Sequence, residues 1–327
     1  MKEKVTVIIP NYNGKHFMEA CLSSLEKQTY HAYKILVVDN ASSDGSIEFM
    51  QKNYPDIELI ALDQNYGFSK AVNVGILHST TPYVLLLNND TTVDPHFLEE
   101  MVAAIRTSPR NFSVSSKMIQ MYHPDLIDSA GDFYTILGWG FGRGKDHSVQ
   151  KYNTPDETFT ACAGAAIYRR KVFDKIGLFD ENHFAYLEDI DIGYRAKIYG
   201  FKNKYCPNAL VYHVGSGTSG SKYNSFKVKL SARNSVYLNY KNMPLLQLII
   251  NILPLFLGYA VKYLFFQKKG FGKDYQDGFK EGIEKARQQK KVPFQLRHLP
   301  YYLSIELELI CNTFLYFKEW FSKKNAK

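Results

Sequence analysis

The stretch VLLLNNDTTVDP, residues 84–95, joins an apolar run to a polar end. Four apolar residues predict a buried strand, which ends abruptly in Asn88, Asn89 and Asp90. A short apolar run bounded by turn residues is typical of a strand with both faces covered. Because Asn and Asp are also common in turns, this stretch alone leaves open whether its polar end binds a ligand or only turns the chain.

The same pattern occurs three times before this stretch, and together the four strands indicate a fold class. Strands alternating with helices at this spacing predict an α/β fold with a mostly parallel sheet flanked by helices. Ligands of such sheets bind beyond the carboxyl ends of the strands, and all four predicted strands end in polar residues, which favours a ligand site there. The other strands are predicted at 5–10, 33–40 and 57–62, and the helices at 14–28, 42–54 and 67–79.

Composition and charge limit the remaining possibilities. The chain has 327 residues, of which 45% are hydrophobic, enough for a substantial core. Four scattered cysteines without a C-x-x-C pair indicate reduced thiols in a cytosolic compartment. The N-terminus predicts a first strand and no signal peptide. From Ser216 onward the chain has 19 Lys and Arg against seven acidic residues, a balance of +12 within a total of +8. A mildly acidic body with a basic tail suggests that the tail meets an anionic surface.

Two further stretches contain residue types suited to catalysis or metal binding. In FAYLEDIDIGYRAKIYGF (184–201), the closeness of Glu188, Asp189 and Asp191 should raise at least one carboxyl pKa, which suits a general base. The alternative is that these acids only complement a helix dipole, with Asp191 capping the helix or pairing with Arg195. In NALVYHVGSG (208–217), His213 is either a metal ligand or a satisfied core residue.

At this point the sequence resembles glycosyltransferase family 2, whose members are inverting sugar transferases with the GT-A fold. The resemblance covers roughly residues 4–245, and its N-x-G-F-x-x-x-V-N-x-G and N-N-D patterns look most like the rhamnosyltransferase-like branch. The stretches that resemble the family are VTVIIPNYNG, ILVVDNASSDGS, NYGFSKAVNVGI, LLLNNDTTVDP, CAGAAIYRRKVFDKIGLFDENHFAYLEDIDIGYRAKIYGF and YCPNALVYHVGSG.

The resemblance implies roles for individual positions. Asp189 would be the general base, next to Glu188, and Asp90 and His213 would hold Mn²⁺ or Mg²⁺ on the donor diphosphate. Asn88 replaces the first acid of the family's D-x-D motif, which leaves one metal carboxylate where the common pattern has two. Six residues would bind the nucleotide of a dTDP- or UDP-sugar: Pro10, Tyr12, Asp39, Asn65, Gly67 and Asn89.

Three regions are predicted along the chain. Residues 1–215 would form the catalytic domain, with a nucleotide-binding half (1–110) and an acceptor half (111–215). Residues 216–243 would be a flexible lid and connector, because 215–225 are rich in Gly and Ser. In the acceptor half, LGWGFGRG (137–144) suggests an exposed aromatic surface for a sugar ring, the alternative being a loop packed on the core.

The region 244–327 is predicted to be helical, basic and interfacial. Its two apolar stretches, 245–266 and 299–321, are long enough to span a bilayer but are interrupted by polar and charged residues. We expect helices that lie on the anionic surface of the cytoplasmic leaflet, as a peripheral or monotopic attachment. In the alternative, these helices pack on one another or form a homodimer. We expect no nucleic acid partner.

The sequence therefore predicts an inverting, metal-dependent transferase of a sugar, with rhamnose as a candidate, to a hydroxyl of a lipid-linked cell-surface glycan. A dinucleotide oxidoreductase would need G-x-G-x-x-G after the first strand, where this chain has PNYNGK. A processive polysaccharide synthase would need a Q-x-x-R-W motif, and neither Trp139 nor Trp320 ends one. The alternative left open is a non-catalytic module that binds nucleotide sugars.

Overall fold

The computed structural model of the chain describes residues 4–215 and 223–325. The centre of the predicted lid, 216–222, lies outside the described residues. The predicted division at 215/216 and 243/244 stays a prediction.

Within the described ranges, ten strands form one sheet and two form a separate hairpin. The strands are β1 Val5–Asn11, β2 Tyr33–Asp39, β3 Glu58–Ala61, β4 Tyr83–Leu87, β5 Thr91–Val93, β6 Asn111–Gln120, β7 His123–Ser129, β8 Asp132–Tyr134, β9 Gly140–Gly142, β10 Asp156–Thr158, β11 Ala165–Arg169 and β12 Lys202–His213. The helices are α1 Lys15–Glu26, α2 Ser46–Asn53, α3 Phe68–His78, α4 Phe97–Arg106, α5 Arg170–Ile176, α6 Glu188–Ile198, α7 Ser225–Asn242, α8 Leu245–Ile250, α9 Ile252–Lys268, α10 Gly272–Gln288 and α11 Leu299–Asn325.

The predicted α/β class is confirmed, and the sheet is mixed. Its main path runs β10-β12-β6-β11-β4-β1-β2-β3. The strands β4, β1, β2 and β3 are parallel, as predicted, because a crossover helix separates each from the next. Beyond β4 the direction changes, since β11 runs antiparallel to both β4 and β6. A turn joins β6 to β7 without a crossover helix, so that pair is also antiparallel.

Both faces of the sheet are covered, as the apolar runs of the strands require. Along β1, Val5, Val7 and Ile9 face a core shared with α1 and α4, whereas Ile8 faces a second core shared with α3, α5 and α6. Because side chains alternate along a strand, a strand with two covered faces is apolar throughout. The polar residues that follow such strands are therefore left at the edge of the sheet.

The C-terminal helices form a third layer that packs on part of residues 111–215. Tyr134 of β8, Leu238 of α7 and Leu309 of α11 share one buried cluster. Trp139 is only 7% exposed, and its indole Nε1 donates to the carbonyl of Gly258 in α9 (3.1 Å). The expected exposed aromatic surface is therefore wrong for Trp139, because α9 covers it. Among the described residues, none of the helices combines the length and apolar character that crossing a membrane requires.

Candidate active site

A cavity of about 750 Å³ opens at the carboxyl ends of β1 and β4. Nine of the ten predicted site residues line it, and Asp39 does not. The walls also include residues from 111–215 and from α7, so the cavity lies between the parallel strands and the later part of the chain. The nine lining residues are Pro10, Tyr12, Asn65, Gly67, Asn89, Asp90, Glu188, Asp189 and His213.

The polar residues that end three adjacent strands bond to one another. Asn11 Nδ2 donates to Asp39 Oδ2 (2.7 Å), and Asn89 Nδ2 donates to Asn11 Oδ1 (2.6 Å). Asp39 is 1% exposed, and its other oxygen accepts from the backbone N–H of Ser42 (2.8 Å). Asp39 thus supports the floor of the cavity from below through Asn11. The nucleotide-binding roles of Asp39 and Asn89 stay predictions.

A second polar group fixes the loop before α3. Asn40 Nδ2 donates to Asn65 Oδ1 (2.9 Å) and to the carbonyl of Gly67 (3.1 Å). Gly67 has a φ of +84°, and a Cβ there would lie 2.6 Å from the carbonyl oxygen of Phe184. Only glycine fits both conditions, so this position lets the loop before α6 pack directly on the start of α3.

The pairing of β5 with β12 brings together the two predicted metal ligands. Asp90 precedes β5 and His213 ends β12, and His213 Nε2 lies 3.4 Å from Asp90 Oδ1. On the other side of the ring, Nδ1 lies 2.8 Å from Asp128 Oδ2. Lys145 Nζ forms an ion pair with Asp128. Burial would lower the pKa of His213, but the Asp128 and Asp90 carboxylates together outweigh burial and raise that pKa to about 9.

This arrangement fits a divalent cation. Asp90 offers a carboxylate oxygen and His213 an imidazole nitrogen at the wall of the cavity, and Asp128 orients the ring from behind, as carboxylates do behind metal-binding histidines. A cation binds the neutral imidazole, so it would take the place of a proton. Another acidic group, formed by Asp180, His183 and Asp191, is a poorer candidate. Lys241 Nζ already lies 2.6 and 2.9 Å from its two carboxylates.

The predicted base lies at the start of α6. Thr160 Oγ1 donates to the carbonyl of Asp189 (2.5 Å), and the side chain of Asp189 accepts from the N–H of Ile190 (2.7 Å). Burial, then the charges of Glu188 and Asp132, raise the pKa of Asp189 well above its ordinary value. Burial also raises the pKa of Glu188 to about 7. One Glu188 oxygen, Oε2, finds no hydrogen-bond partner in the described part of the chain.

The third acid of the cluster, Asp191, does not line the cavity and is paired with Arg195 instead. Asp191 is fully buried, and its Oδ2 accepts from Arg195 Nε (2.9 Å) and a terminal guanidinium nitrogen (2.6 Å). The predicted Asp191–Arg195 pair is therefore confirmed. Burial would raise the pKa of Asp191, but the charges of Arg195 and Lys241 hold it far below its ordinary value, so this carboxyl stays ionised.

Sequence reasoning missed several residues of the cavity. Asp132 lies beside Asp189, with ligand atoms of the two carboxylates and of Cys162 within 4.8 Å of one another. From α7, Asn224 and Lys227 line the cavity, and Asn224 caps that helix by accepting from the N–H of Lys227 (2.9 Å). The stretch IDSAGD (127–132) contains both Asp128 and Asp132, and two acids so close together were a visible signal. No local pattern indicates, however, that this stretch reaches the cavity.

Comparison with known proteins finds a glycosyltransferase and a glycan synthase among the relatives of this chain. An N-acetylglucosaminyl-diphospho-decaprenol L-rhamnosyltransferase of Mycobacterium tuberculosis is 26% identical over 246 residues, 67% of this chain and 79% of the relative. A poly-beta-1,6-N-acetyl-D-glucosamine synthase of Staphylococcus aureus is 24% identical over 232 residues. That match covers 67% of this chain and only 52% of the synthase.

Solved structures share the fold at low sequence identity. GalNAc-T7 with UDP, GalNAc and Mn²⁺ matches with a TM-score of 0.59 at 16% identity, over 73% of this chain and 48% of its own. The mannosyltransferase PcManGT from Pyrobaculum calidifontis, in complex with GDP-Man and Mn²⁺, matches with a TM-score of 0.54 at 15% identity. That match covers 94% of this chain and 88% of the mannosyltransferase. The profile of glycosyl transferase family 2 matches residues 6–177, more than half of the chain. The chain therefore belongs to glycosyl transferase family 2 and is a glycosyltransferase.

Proposed function

We propose that this enzyme transfers one sugar, with inversion and with the aid of a divalent cation, from a nucleoside diphosphate sugar to a hydroxyl of a lipid-linked glycan. The observation that carries the proposal is one cavity lined both by the Asp90–His213 pair and by Asp189 with its raised pKa. A nucleotide-binding module without catalysis would have no use for a half-buried carboxylate of that kind.

In the proposed reaction, Asp189 takes the proton of the acceptor hydroxyl. The acceptor oxygen forms a bond to the anomeric carbon as the bond from that carbon to the phosphate oxygen breaks. Attack comes from the face opposite the leaving nucleotide, so the configuration inverts. The negative charges of Glu188 and Asp132 disfavour ionisation of Asp189 and so raise its pKa. A raised pKa lets Asp189 hold the proton that it takes from the acceptor.

Asp90 and His213 are the residues we propose as protein ligands of the cation. A bound cation would neutralise charge that develops on the departing diphosphate. One carboxylate plus one imidazole suits Mn²⁺ better than Mg²⁺, which prefers oxygen ligands alone. Two solved structures with this fold contain Mn²⁺ together with UDP or GDP-Man, which supports the choice of ion.

The acceptor class rests on two supports. The rhamnosyltransferase relative is named for a lipid-linked diphosphate acceptor, which also makes rhamnose the first donor sugar to test. In addition, of the exposed large hydrophobic side chains within the described ranges, four precede residue 244 and 23 follow it. Apolar surface on this scale is unusual for a monomer in water and marks a contact surface.

A membrane surface is the partner we propose for that region, at the cytoplasmic face. Along α9, Leu253, Phe256 and Leu257 are each more than half exposed. Residues 192–273, which contain this helix, have thirteen Lys and Arg and no acidic residue. Exposed apolar side chains within a basic stretch of the chain favour an anionic leaflet, where the lipid-linked acceptor would also be found.

The proposal is tested by titrating UDP-, dTDP- and GDP-sugars into the enzyme with Mn²⁺ by calorimetry. The best-binding donor is then given to the enzyme together with a lipid-linked N-acetylglucosaminyl diphosphate. We expect one nucleotide class to bind tightly only with the cation, and an inverted glycosidic product. Donor binding without any transfer to this acceptor or to water would favour the non-catalytic alternative.

A further inference from the structure

The loop that leads into Asp189 has an unusual backbone. Phe184, Tyr186 and Leu187 have positive φ values of 62°, 70° and 65°, although none of them is glycine. Side chains at such positions crowd the backbone, so the conformation persists only where surrounding contacts over-determine it. The loop is neither helix nor strand, and its carbonyl groups therefore need partners from elsewhere.

One side chain of α7 supplies partners for the carbonyls of Ala185 and Tyr186 in this loop and of His183 just before it. Asn234 is 0% exposed, and its Nδ2 donates to the carbonyls of His183 (2.9 Å), Ala185 (2.8 Å) and Tyr186 (2.8 Å). Three acceptors share the two hydrogens of one amide, so this contact holds the loop on both sides of Ala185. Leu187, Glu188 and Asp189 follow immediately.

The amide is itself oriented by its neighbour. Arg233 Nε donates to Asn234 Oδ1 (3.0 Å), which fixes which end of the amide faces the loop. A terminal nitrogen of Arg233 donates to the carbonyls of Asn182 (3.1 Å) and His183 (2.9 Å). Two consecutive residues of α7 thus bind four carbonyls between Asn182 and Tyr186.

We infer that Asn234 is a positioning residue of the transferase, which holds the loop of residues 184–187 so that Asp189 faces the acceptor. This inference rests on the proposed function, because it takes Asp189 as the base. Asn234 does not line the cavity, and it acts only through the loop. The start of α7 does line the cavity, through Asn224, Lys227 and Ser231. One helix therefore contacts both the cavity and the loop of residues 184–187.

The matched control is Asn239, another buried asparagine of α7. It is 2% exposed, and its amide bonds Tyr134 (3.0 Å) and Tyr259 (2.8 Å), not the loop. Asn234→Ala and Asn239→Ala each remove one buried amide from the same helix. General destabilisation should therefore be similar in the two variants, and effects on the loop should differ.

The experiment compares hydrolysis of the best-binding sugar nucleotide and hydrogen–deuterium exchange of residues 181–192. In Asn234→Ala we expect kcat to fall by about 10²-fold, the cost of a misplaced catalytic group, with nucleotide Kd unchanged. Because Asp189 would gain solvent, its pKa should fall and the acid limb of the kcat profile should move to lower pH. Exchange in 181–192 should quicken. Asn239→Ala should show none of these changes, and Asn234→Gln, which keeps the amide, should recover part of the kcat.

Asp189→Asn separates failure of the inference from failure of the proposed function. If Asp189→Asn is inactive while Asn234→Ala keeps its kcat, its pH profile and its exchange, the positioning role is wrong. If Asp189→Asn turns over normally, the base assignment fails, and exchange of 181–192 still decides whether Asn234 holds the loop. Should Asn234→Ala not fold, Asn234→Ser, which keeps one donor, replaces it in the same comparison.

Discussion

The apolar surface of α9 offers a test that needs no substrate. Leu253 is 64% exposed on α9, and Leu77 is 67% exposed on α3, far from the C-terminal helices in the chain. The substitutions Leu253→Gln and Leu77→Gln therefore remove the same side chain at the same exposure. Only Leu253 should enter lipid if the C-terminal region docks on a membrane.

The expected size of the effect follows from that exposure. Complete burial of a leucine side chain is worth about 1.5–3 kcal/mol, so burying the exposed part of Leu253 is worth about 1–2 kcal/mol. At 1.4 kcal/mol for each factor of ten, Leu253→Gln should weaken partition into vesicles by about 5- to 30-fold. Leu77→Gln should leave partition unchanged.

The assay is flotation of the full-length chain with phosphatidylglycerol-rich vesicles, at low and high salt. Added salt should loosen binding only in part, because charge attraction is screened and apolar burial is not. Equal partition of the two variants would refute membrane docking through α9. If Leu253→Gln instead lowers the mass measured by ultracentrifugation without lipid, the surface joins two copies of the chain.

Three further predictions concern the cavity and its support. Asp90→Ala should weaken Mn²⁺-dependent nucleotide binding by at least about 10-fold and His213→Ala by less, measured by calorimetry; unchanged Mn²⁺ dependence in both would place the cation elsewhere. Asp132→Asn removes a charge that raises the pKa of Asp189, so the acid limb of the kcat profile should move to lower pH; a shift to higher pH would contradict the pairing. Asp191→Ala leaves the buried Arg195 guanidinium without a carboxylate, although Lys241 keeps Asp180, and should lower the free energy of unfolding by about 3–5 kcal/mol in urea titrations; a loss below about 1 kcal/mol would mean that the ion pair is relaxed or hydrated.

The sequence predicted the first half of the fold because local patterns carry it. Apolar runs, helical spacing and polar strand ends identify β1 to β4 and the helices between them. The antiparallel insertion of β11 between β4 and β6 was not visible, because strand order depends on contacts between residues far apart in the chain. The same holds for Trp139, whose cover comes from α9 more than a hundred residues later.

The site was predictable to a similar degree. Asp90 and His213 were expected together from the family resemblance, and the pairing of β5 with β12 is what brings them to 3.4 Å. Asp128 and Asn234 were missed, because each acts on another residue from outside the motif. Asp39 is the opposite case. The family resemblance predicts that it contacts the nucleotide, and in the structure its carboxylate accepts a hydrogen bond from Asn11 at the floor of the cavity.

The proposed role of Asp189 as the base of an inverting transferase can be tested with one substitution, Asp189→Asn. The amide keeps the size of the side chain but cannot accept the acceptor's proton. We predict an unchanged Kd for the nucleotide in the presence of Mn²⁺ and a fall in the transfer rate of about 10²–10⁴-fold. Transfer by Asp189→Asn at a rate near that of the unmodified enzyme would mean that Asp189 is not the base.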